Sequence, residues 1–281
     1  MNIRVGQRRH GSVRPPQVVS RVRRAGARAE DLVQRVLSRV GLSHSDARIA
    51  ADAQDYWAEA GSAKWKANSH WRDAHVFSDG DLWYEIGKRH LDMYDRGART
   101  VGFDRPLGRV VEWGCGGGAN AVHFAPRATE FVGVDIVPET LDECARQVAA
   151  HGDALFTPVL AEVAHPERVV EKIGTCDLFL CFYLFELIPT PEYGERLLKI
   201  AAEVLAPGGL ALIQVKYHDG DFWRRPRRRG YRTSVAGMTT YSVPEFWQLV
   251  EKCGLRAEVV ELIPENELDS RYAYFLVSKG E

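Results

Sequence analysis

The chain lacks any apolar run long enough to span a bilayer: stretches such as Leu178 to Leu184 fall far short of the ~20 residues a membrane helix needs. Cysteine is sparse. The five present (Cys115, Cys144, Cys176, Cys181 and Cys253) are odd in number, form no C-x-x-C pair and follow no secretory apolar core. That pattern excludes a disulfide framework, and small apolar core residues in a reducing cytosol are expected. Internal repeats are also missing, and net charge is almost absent at −1.

What is there is ordinary globular composition: 281 residues, 45% apolar and 27% charged, enough to bury a sizeable core in one main domain with a smaller appendage. The charge is unevenly spread. Ten arginines (4, 8, 9, 14, 21, 23, 24, 28, 35, 39) stand in the first forty residues against Glu30 and Asp31, a local balance of +8 that leaves −9 for the rest. A basic arm thus precedes an acidic globule. It suits a solvated leader, an organelle-targeting segment, or contact with nucleic acid or an anionic surface.

Residues 1–29 show no apolar periodicity and contain Pro15-Pro16, so they are expected to be a disordered basic leader. Residues 30–107 are expected to be a helical N-terminal cap. There, Glu30 to Val40 places Leu32, Val33, Val36, Leu37 and Val40 at helical spacing before Gly41, and Ser45 to Trp57 makes a second helix. Tyr56 to Trp83 is dense in aromatics, and Asp81 is expected to cap a helix from Leu82 to Arg96 with Trp83, Ile86, Leu91 and Tyr94 facing inward. From 108 to 281, short apolar strands alternate with amphipathic helices, the pattern of an α/β doubly wound sheet. Strands are expected to start at Arg109, Glu130, Ala154, Leu178, Gly209, Ala257 and Tyr272, the last entering the sheet antiparallel as part of a hairpin. Helices are expected to start at Ala119, Pro138, Pro166, Tyr193 and Val243.

The first strand, Arg109-Val110-Val111-Glu112, runs into a turn with glycine at 114, 116, 117 and 118. Without Cβ atoms, such a turn lets main-chain N–H groups and a helix N-terminus approach a ligand. The turn alone is ambiguous, since Gly114-x-Gly116-x-x-Ala119 followed by Asp135 also satisfies the dinucleotide fingerprint. Glu112 separates the two readings. Its carboxylate would face a pyrophosphate unfavourably, yet it suits a ligand with an ammonium, a sulfonium and no phosphate. Charge therefore favours S-adenosylmethionine, and the turn Leu205-Ala206-Pro207-Gly208-Gly209-Leu210 and the terminal strand pair point the same way.

Taken with those features, Val110-Val111-Glu112-Trp113-Gly114-Cys115-Gly116-Gly117-Gly118 resembles the V-L-[DE]-x-G-C-G-x-G pattern of class I S-adenosylmethionine-dependent methyltransferases, and the likeness runs from Gly108 to the C-terminus. The resemblance implies a Rossmann-like, seven-stranded, mostly parallel sheet with S-adenosyl-L-methionine as cofactor. It further implies that Gly114, Cys115, Gly116 and Gly118 belong to the turn around the methionine end, with Glu112 near the ammonium. Asp135 would accept from both ribose hydroxyls and Ile136 would pack on adenine. Ala161-Glu162 stands where the family often has Gly-Asp, which makes Glu162 the candidate for the adenine amino group. Cys181 and Phe182, past the fourth strand, would sit beside the cofactor. Leu187 replaces a histidine common in the family, so no catalytic role carries over there.

Methyl transfer is an in-line displacement at a carbon the sulfonium already activates, so the protein supplies alignment and desolvation, and a base only if the acceptor is protonated. Candidate bases are His70, His75 and His90 in the cap and Tyr217, His218 and Asp219 after the fifth strand, with His70, Tyr217 and His218 foremost. Tyr56, Trp57, Trp65 and Trp71 suit an apolar substrate wall or a core joining cap to sheet. The arginine-rich run from Trp223 to Arg232 suits a phosphate, a carboxylate, a nucleic-acid backbone or plain solvent. After the fourth strand there is neither an Asn-Pro-Pro-Tyr-like tetrapeptide nor a Pro-Cys nucleophile, against DNA amino or cytosine C5 methylation, and no Asp/Asn cluster suits a metal. The expected function is methyl transfer to an oxygen or nitrogen of a small organic acceptor by a cytoplasmic enzyme with no membrane partner. Secondary metabolites and anionic molecules are among the acceptors this allows. An RNA or nucleotide-linked methyltransferase using the basic segments, and a non-catalytic cofactor-binding regulatory protein, are the alternatives.

Overall fold

The alternating strand and helix signals resolve into one seven-stranded sheet. The computed structural model describes residues 29–59, 63–78, 81–233, 235 and 237–280; the expected basic leader, residue 29 apart, lies outside the described residues. The strands are β1 (Leu107–Trp113), β2 (Ala128–Asp135), β3 (Leu155–Leu160), β4 (Cys176–Cys181), β5 (Leu205–Lys216), β6 (Leu255–Glu265) and β7 (Ser270–Lys279), ordered β3-β2-β1-β4-β5-β7-β6. The first five are parallel, and β7 enters antiparallel between β5 and β6. The strand order reverses at β1, between β2 and β4, where an open α/β sheet forms its ligand crevice.

Helices cover both faces; beside those placed below, the chain order includes α1 (residues 29–39), α3 (Ala63–Asn68), α5 (Ala121–Phe124) and α7 (Val170–Ile173). On one face α2 (Asp46–Ala58), α8 (Pro191–Val204) and α9 (Val243–Lys252) bury Ile49, Ala53, Leu197, Leu198 and Phe246 against Val111 and Phe179. On the other, α4 (Leu82–Thr100) and α6 (Pro138–His151) bury Trp83, Ile86, Tyr94, Leu141 and Val148 against Val110 and Leu178. Local chemistry sets several helix starts. Thr190 accepts from Tyr193 N ahead of Pro191, and Ser242 and Glu245 form a reciprocal capping box. No helix among the described residues is long and apolar enough to cross a membrane.

Two local expectations are corrected. Asp81 precedes α4, but its side chain makes no capping bond, because its backbone (φ −93°, ψ 20°) is not the extended form that aims an N-cap oxygen into the helix. On α4, His90 and Met93 occupy the inward face while Leu91 is only half-buried.

Candidate active site

At the carboxyl ends of β1, β2 and β4 a cavity opens beneath the N-terminal helices. At the end of β1 and beyond it is lined by Trp113, Gly114, Cys115, Gly116, Ala119 and Asn120; at the end of β2 by Asp135 and Ile136; after β4 by Phe182, Tyr183, Leu184, Leu187, Ile188 and Pro189. Ala53, Trp57, Asn68, Ser69 and His70 close it from above. Counting what opens to solvent, the space between these residues is about 860 Å³.

The turn after β1 needs glycine for two reasons. Gly114, Gly116 and Gly118 have φ of +75°, +52° and +88°, which L side chains rarely adopt. A Cβ at Gly116 would also stand 2.5 Å from the Ser69 carbonyl oxygen. The cap rests directly on the turn, Gly117 N donating to Ser69 O at 2.6 Å, and within the cap Trp83 Nε1 donates to His70 O at 2.7 Å.

Two carboxylates flank this turn. Asp135 lines the cavity; its Oδ1 accepts from Ile136 N and Val137 N at 2.8 and 3.1 Å, and its Oδ2 accepts from Gly116 N at 3.2 Å. Burial raises its pKa to about 6 against those bonds. Glu112 lies behind the lining, where Oε1 accepts from Asn120 Nδ2 at 2.5 Å and the buried Oε2 has no hydrogen-bond partner among the described residues. Burial raises its pKa to about 8, with Asn120 opposing and Asp135 adding to the shift. A cation nearby would reverse that preference for the neutral acid.

Of the candidate bases, His70 reaches the cavity. Its ring packs 4.8 Å from that of Tyr183 and 5.3 Å from that of Phe77, and burial lowers its pKa to about 4. The chain leaving β5 turns instead toward α9, so His218 Nε2 sits 3.3 Å from Glu245 Oε2 and Tyr217 bridges the backbone of Tyr241. Neither contributes to the lining. Asp219 is exposed and paired with Arg224, His75 is exposed, and His90 is buried behind the cavity. Glu162 also stands outside: its side chain is exposed and bound to Arg168 at 3.1 Å, while the next residue, Val163, joins the lining. Gly118 packs against Cys144 of α6, and Cys181 is wholly buried in the sheet, one residue short of Phe182. All five cysteines are free. Asn120, absent from the sequence candidates, had a usable signal as an amide two residues beyond the last glycine; Asn68 and Ser69 had none.

The aromatic stretch divides between the two roles expected of it. Trp57 is in the wall, donating through Nε1 to Tyr231 Oη at 2.9 Å, whereas Trp65 is core, edge-on to Trp71 with centroids 5.4 Å apart. The arginine run is divided: Arg224, Arg225 and Arg232 are exposed, while the middle of the run is engaged by the rest of the chain. Arg227 is fully buried and paired with Asp31, Arg228 pairs with Asp46 and Glu192, Arg229 donates to Gln34 at 2.7 Å, and Arg232 pairs with Asp55. In return, helix α1 (residues 29–39) sends Arg35 to Trp223 O and Arg39 to Pro226 O. Its polar side therefore docks, and Leu32, Val33, Val36 and Val40 are left exposed.

A family model described as a methyltransferase domain matches residues 86–261, more than half of the chain. The ubiquinone biosynthesis O-methyltransferase of Chromobacterium violaceum is 28% identical over 127 residues, 45% of this chain and 50% of that protein, so the match spans half the relative's length. Magnesium protoporphyrin IX methyltransferase from Synechocystis PCC 6803, solved with S-adenosylhomocysteine, superposes at TM-score 0.56 with 12% identity, covering 82% of this chain and 99% of that one. The N-methyltransferase NodS from Bradyrhizobium japonicum WM9 gives 0.53 and 12%, covering 78% and 98%. For the 1,6-didemethyltoxoflavin-N1-methyltransferase from Burkholderia thailandensis the values are 0.53 and 18%, covering 78% and 87%. At these identities the structures speak for the fold, and the family model for descent. The chain belongs to the class I S-adenosylmethionine-dependent methyltransferases, enzymes that draw their methyl group from S-adenosyl-L-methionine.

Proposed function

We propose that the cavity holds the methyl donor against the ends of β1 and β2, and beside it a small, largely apolar acceptor methylated on oxygen or nitrogen. The observation that carries this reading is the division of the lining. One end has the glycine turn, Asp135 and, behind Asn120, a buried Glu112 oxygen without a partner; the other is a wall of Trp57, Leu187, Ile188, Tyr193 and Tyr231. The first end fits a ligand with an ammonium and a vicinal diol, since a carboxylate offers two acceptors to a diol. Ile136 and Val163 supply apolar contacts for its base. The bound cofactor supplies a methyl group already activated by its sulfonium.

The chain's own residues align and dry the site. His70, half-buried in the lining, is our candidate to take a proton from an acceptor hydroxyl or amine, and its lowered pKa makes it a weak base suited to an acidic acceptor. Among the described residues the lining contains no lysine or arginine, so an anionic acceptor would meet no counter-charge, and we favour a neutral one. Relatives named for magnesium protoporphyrin IX and 1,6-didemethyltoxoflavin support a small acceptor. The RNA reading is weakened by the internal ion pairs that engage Arg227 and Arg228, while Arg224, Arg225 and Arg232 stay exposed. In this reading residues 30–107 are the substrate cover and 108–281 the donor-binding domain.

The test combines calorimetry with labelled donor. S-adenosylhomocysteine binds the wild type and loses affinity on Asp135→Ala; incubation with labelled donor and a metabolite extract then yields a methylated small molecule by mass spectrometry. Unchanged binding on Asp135→Ala would refute the site, and label found only in RNA would refute the acceptor class.

A further inference from the structure

A file of hydrogen-bonded side chains leads from the glycine-turn end of the cavity into α4 and the β6–β7 hairpin. Asn120, in the lining, donates to Glu112 Oε1 at 2.5 Å and presents Oδ1 to His90 Nδ1 at 2.7 Å. His90 Nε2 lies 3.3 Å from Tyr274 Oη, which lies 3.2 Å from Tyr183 Oη, and that hydroxyl accepts from Asn266 Nδ2 at 3.3 Å. His90, Asn120, Tyr183 and Tyr274 are all buried. Phe182, also in the lining, stacks on the His90 ring with centroids 4.1 Å apart and planes within 4°.

Counting protons gives the file a direction. Asn120 turns its NH₂ to Glu112 Oε1, which leaves its carbonyl, an acceptor only, for His90. His90 Nδ1 must then carry a proton. Burial keeps the ring neutral, holding its pKa down near about 3, so Nε2 has a lone pair that Tyr274 can fill. Tyr183 then donates to Tyr274, and Asn266 to Tyr183. Each donor in the file points toward Glu112, and the file uses only one of that carboxylate's two oxygens.

We propose that His90 is a positioning residue of the methyl-donor site, orienting Asn120 so that Glu112 stays fixed as the negative end that meets the donor's amino-acid group, with Tyr274 setting the His90 tautomer. The proposal rests on the donor placement above. Because His90 acts through that one group, its loss weakens ligands that carry it and spares ligands that do not.

The experiment compares two ligands by calorimetry on the full chain: S-adenosylhomocysteine, and 5′-methylthioadenosine, which keeps the nucleoside and thioether but lacks the amino acid. His90→Phe is expected to weaken the first about tenfold, as for a buried polar group losing its partner, and to leave the second within about twofold. His90→Gln, whose amide can still donate to Asn120, restores part of the loss, and Tyr274→Phe reproduces it in smaller measure. A purely structural role would weaken both ligands alike, and that result, or unchanged binding of the homocysteine ligand, overturns the proposal. Asp135→Ala is the control for the site, since both ligands carry the ribose; if it changes neither affinity, the donor placement itself has failed. Should His90→Phe not fold, Tyr274→Phe and His90→Gln carry the same comparison.

Discussion

The indole of Trp57 donates to the Tyr231 hydroxyl at 2.9 Å, and that hydroxyl donates to Leu187 O at 2.5 Å, tying α2, the arginine loop and the post-β4 segment into one cavity wall. Tyr231→Phe removes one oxygen and strands a buried donor and acceptor. A loss of about 1–3 kcal/mol is expected by chemical denaturation. Affinity for S-adenosylhomocysteine should hold, while KM for the acceptor rises.

Stability should depend on pH through the two carboxyls at the donor end. Glu112 goes from an ordinary 4.5 to about 8 on folding, and Asp135 from 3.8 to about 6. A raised folded pKa means the native state holds a proton that the unfolded chain has released, so the contribution is full below the unfolded value and is lost as pH climbs to the folded one. The ligand-free protein should therefore melt lower as pH rises through about 4 to 8, by at most ~1.4 kcal/mol per unit for each group. Glu112→Gln should flatten the upper half of that window. Affinity for the ammonium-bearing donor should rise over the same range, because its charge favours the ionised carboxylate.

The loop arginines should differ sharply in what they contribute. Arg228 is over a third exposed, and its removal should cost no more than ~1 kcal/mol. Arg227 is wholly buried against Asp31, which is itself a quarter exposed. Arg227→Ala should cost about 2–3 kcal/mol, less than a fully buried pair because water still reaches the carboxylate. Paired urea titrations would measure both, and a cost for Arg228 matching that of Arg227 would count against this assignment.

How far the sequence disclosed this site follows from the range of the interactions. Central strands such as β4 and β5 were legible because parallel strands buried on both faces leave nearly continuous apolar runs, and the turn from Gly114 to Gly118 was legible because positive φ demands glycine. Asp135 could be placed because it ends a strand. The neighbour of Glu162 in the lining, Val163, differs by one residue in an irregular segment, where no period fixes which side chain turns inward. Helix α1 has the apolar spacing of a helix docked by that stripe, yet it docks by Asp31, Gln34, Arg35 and Arg39, because the loop it meets offers carbonyls and arginines. His90 meets Asn120 and Tyr274 across 30 and 184 positions, a convergence that no local pattern announces.

Gly117 tests the seat of the cap. A Cβ there would stand 2.6 Å from His70 O and 2.8 Å from Trp71 Cα, backbone atoms that cannot swing aside as a flexible side chain would. Gly117→Ala should lift the segment from Ser69 to Trp71, speed proteolysis within the cap and weaken donor binding about tenfold. An alanine variant with wild-type protease resistance would show that the cap does not bear on the turn.

The bond from Gly117 N to Ser69 O has a kinetic meaning as well. One amide proton is sequestered by the same contact that covers the glycine turn, so its exchange with deuterium can proceed no faster than that contact breaks. Followed at Gly117 alone, at a pH high enough that every opening leads to exchange, isotope uptake becomes a clock for how often the roof parts from the floor, and hence an upper limit on how quickly spent cofactor can leave by that route.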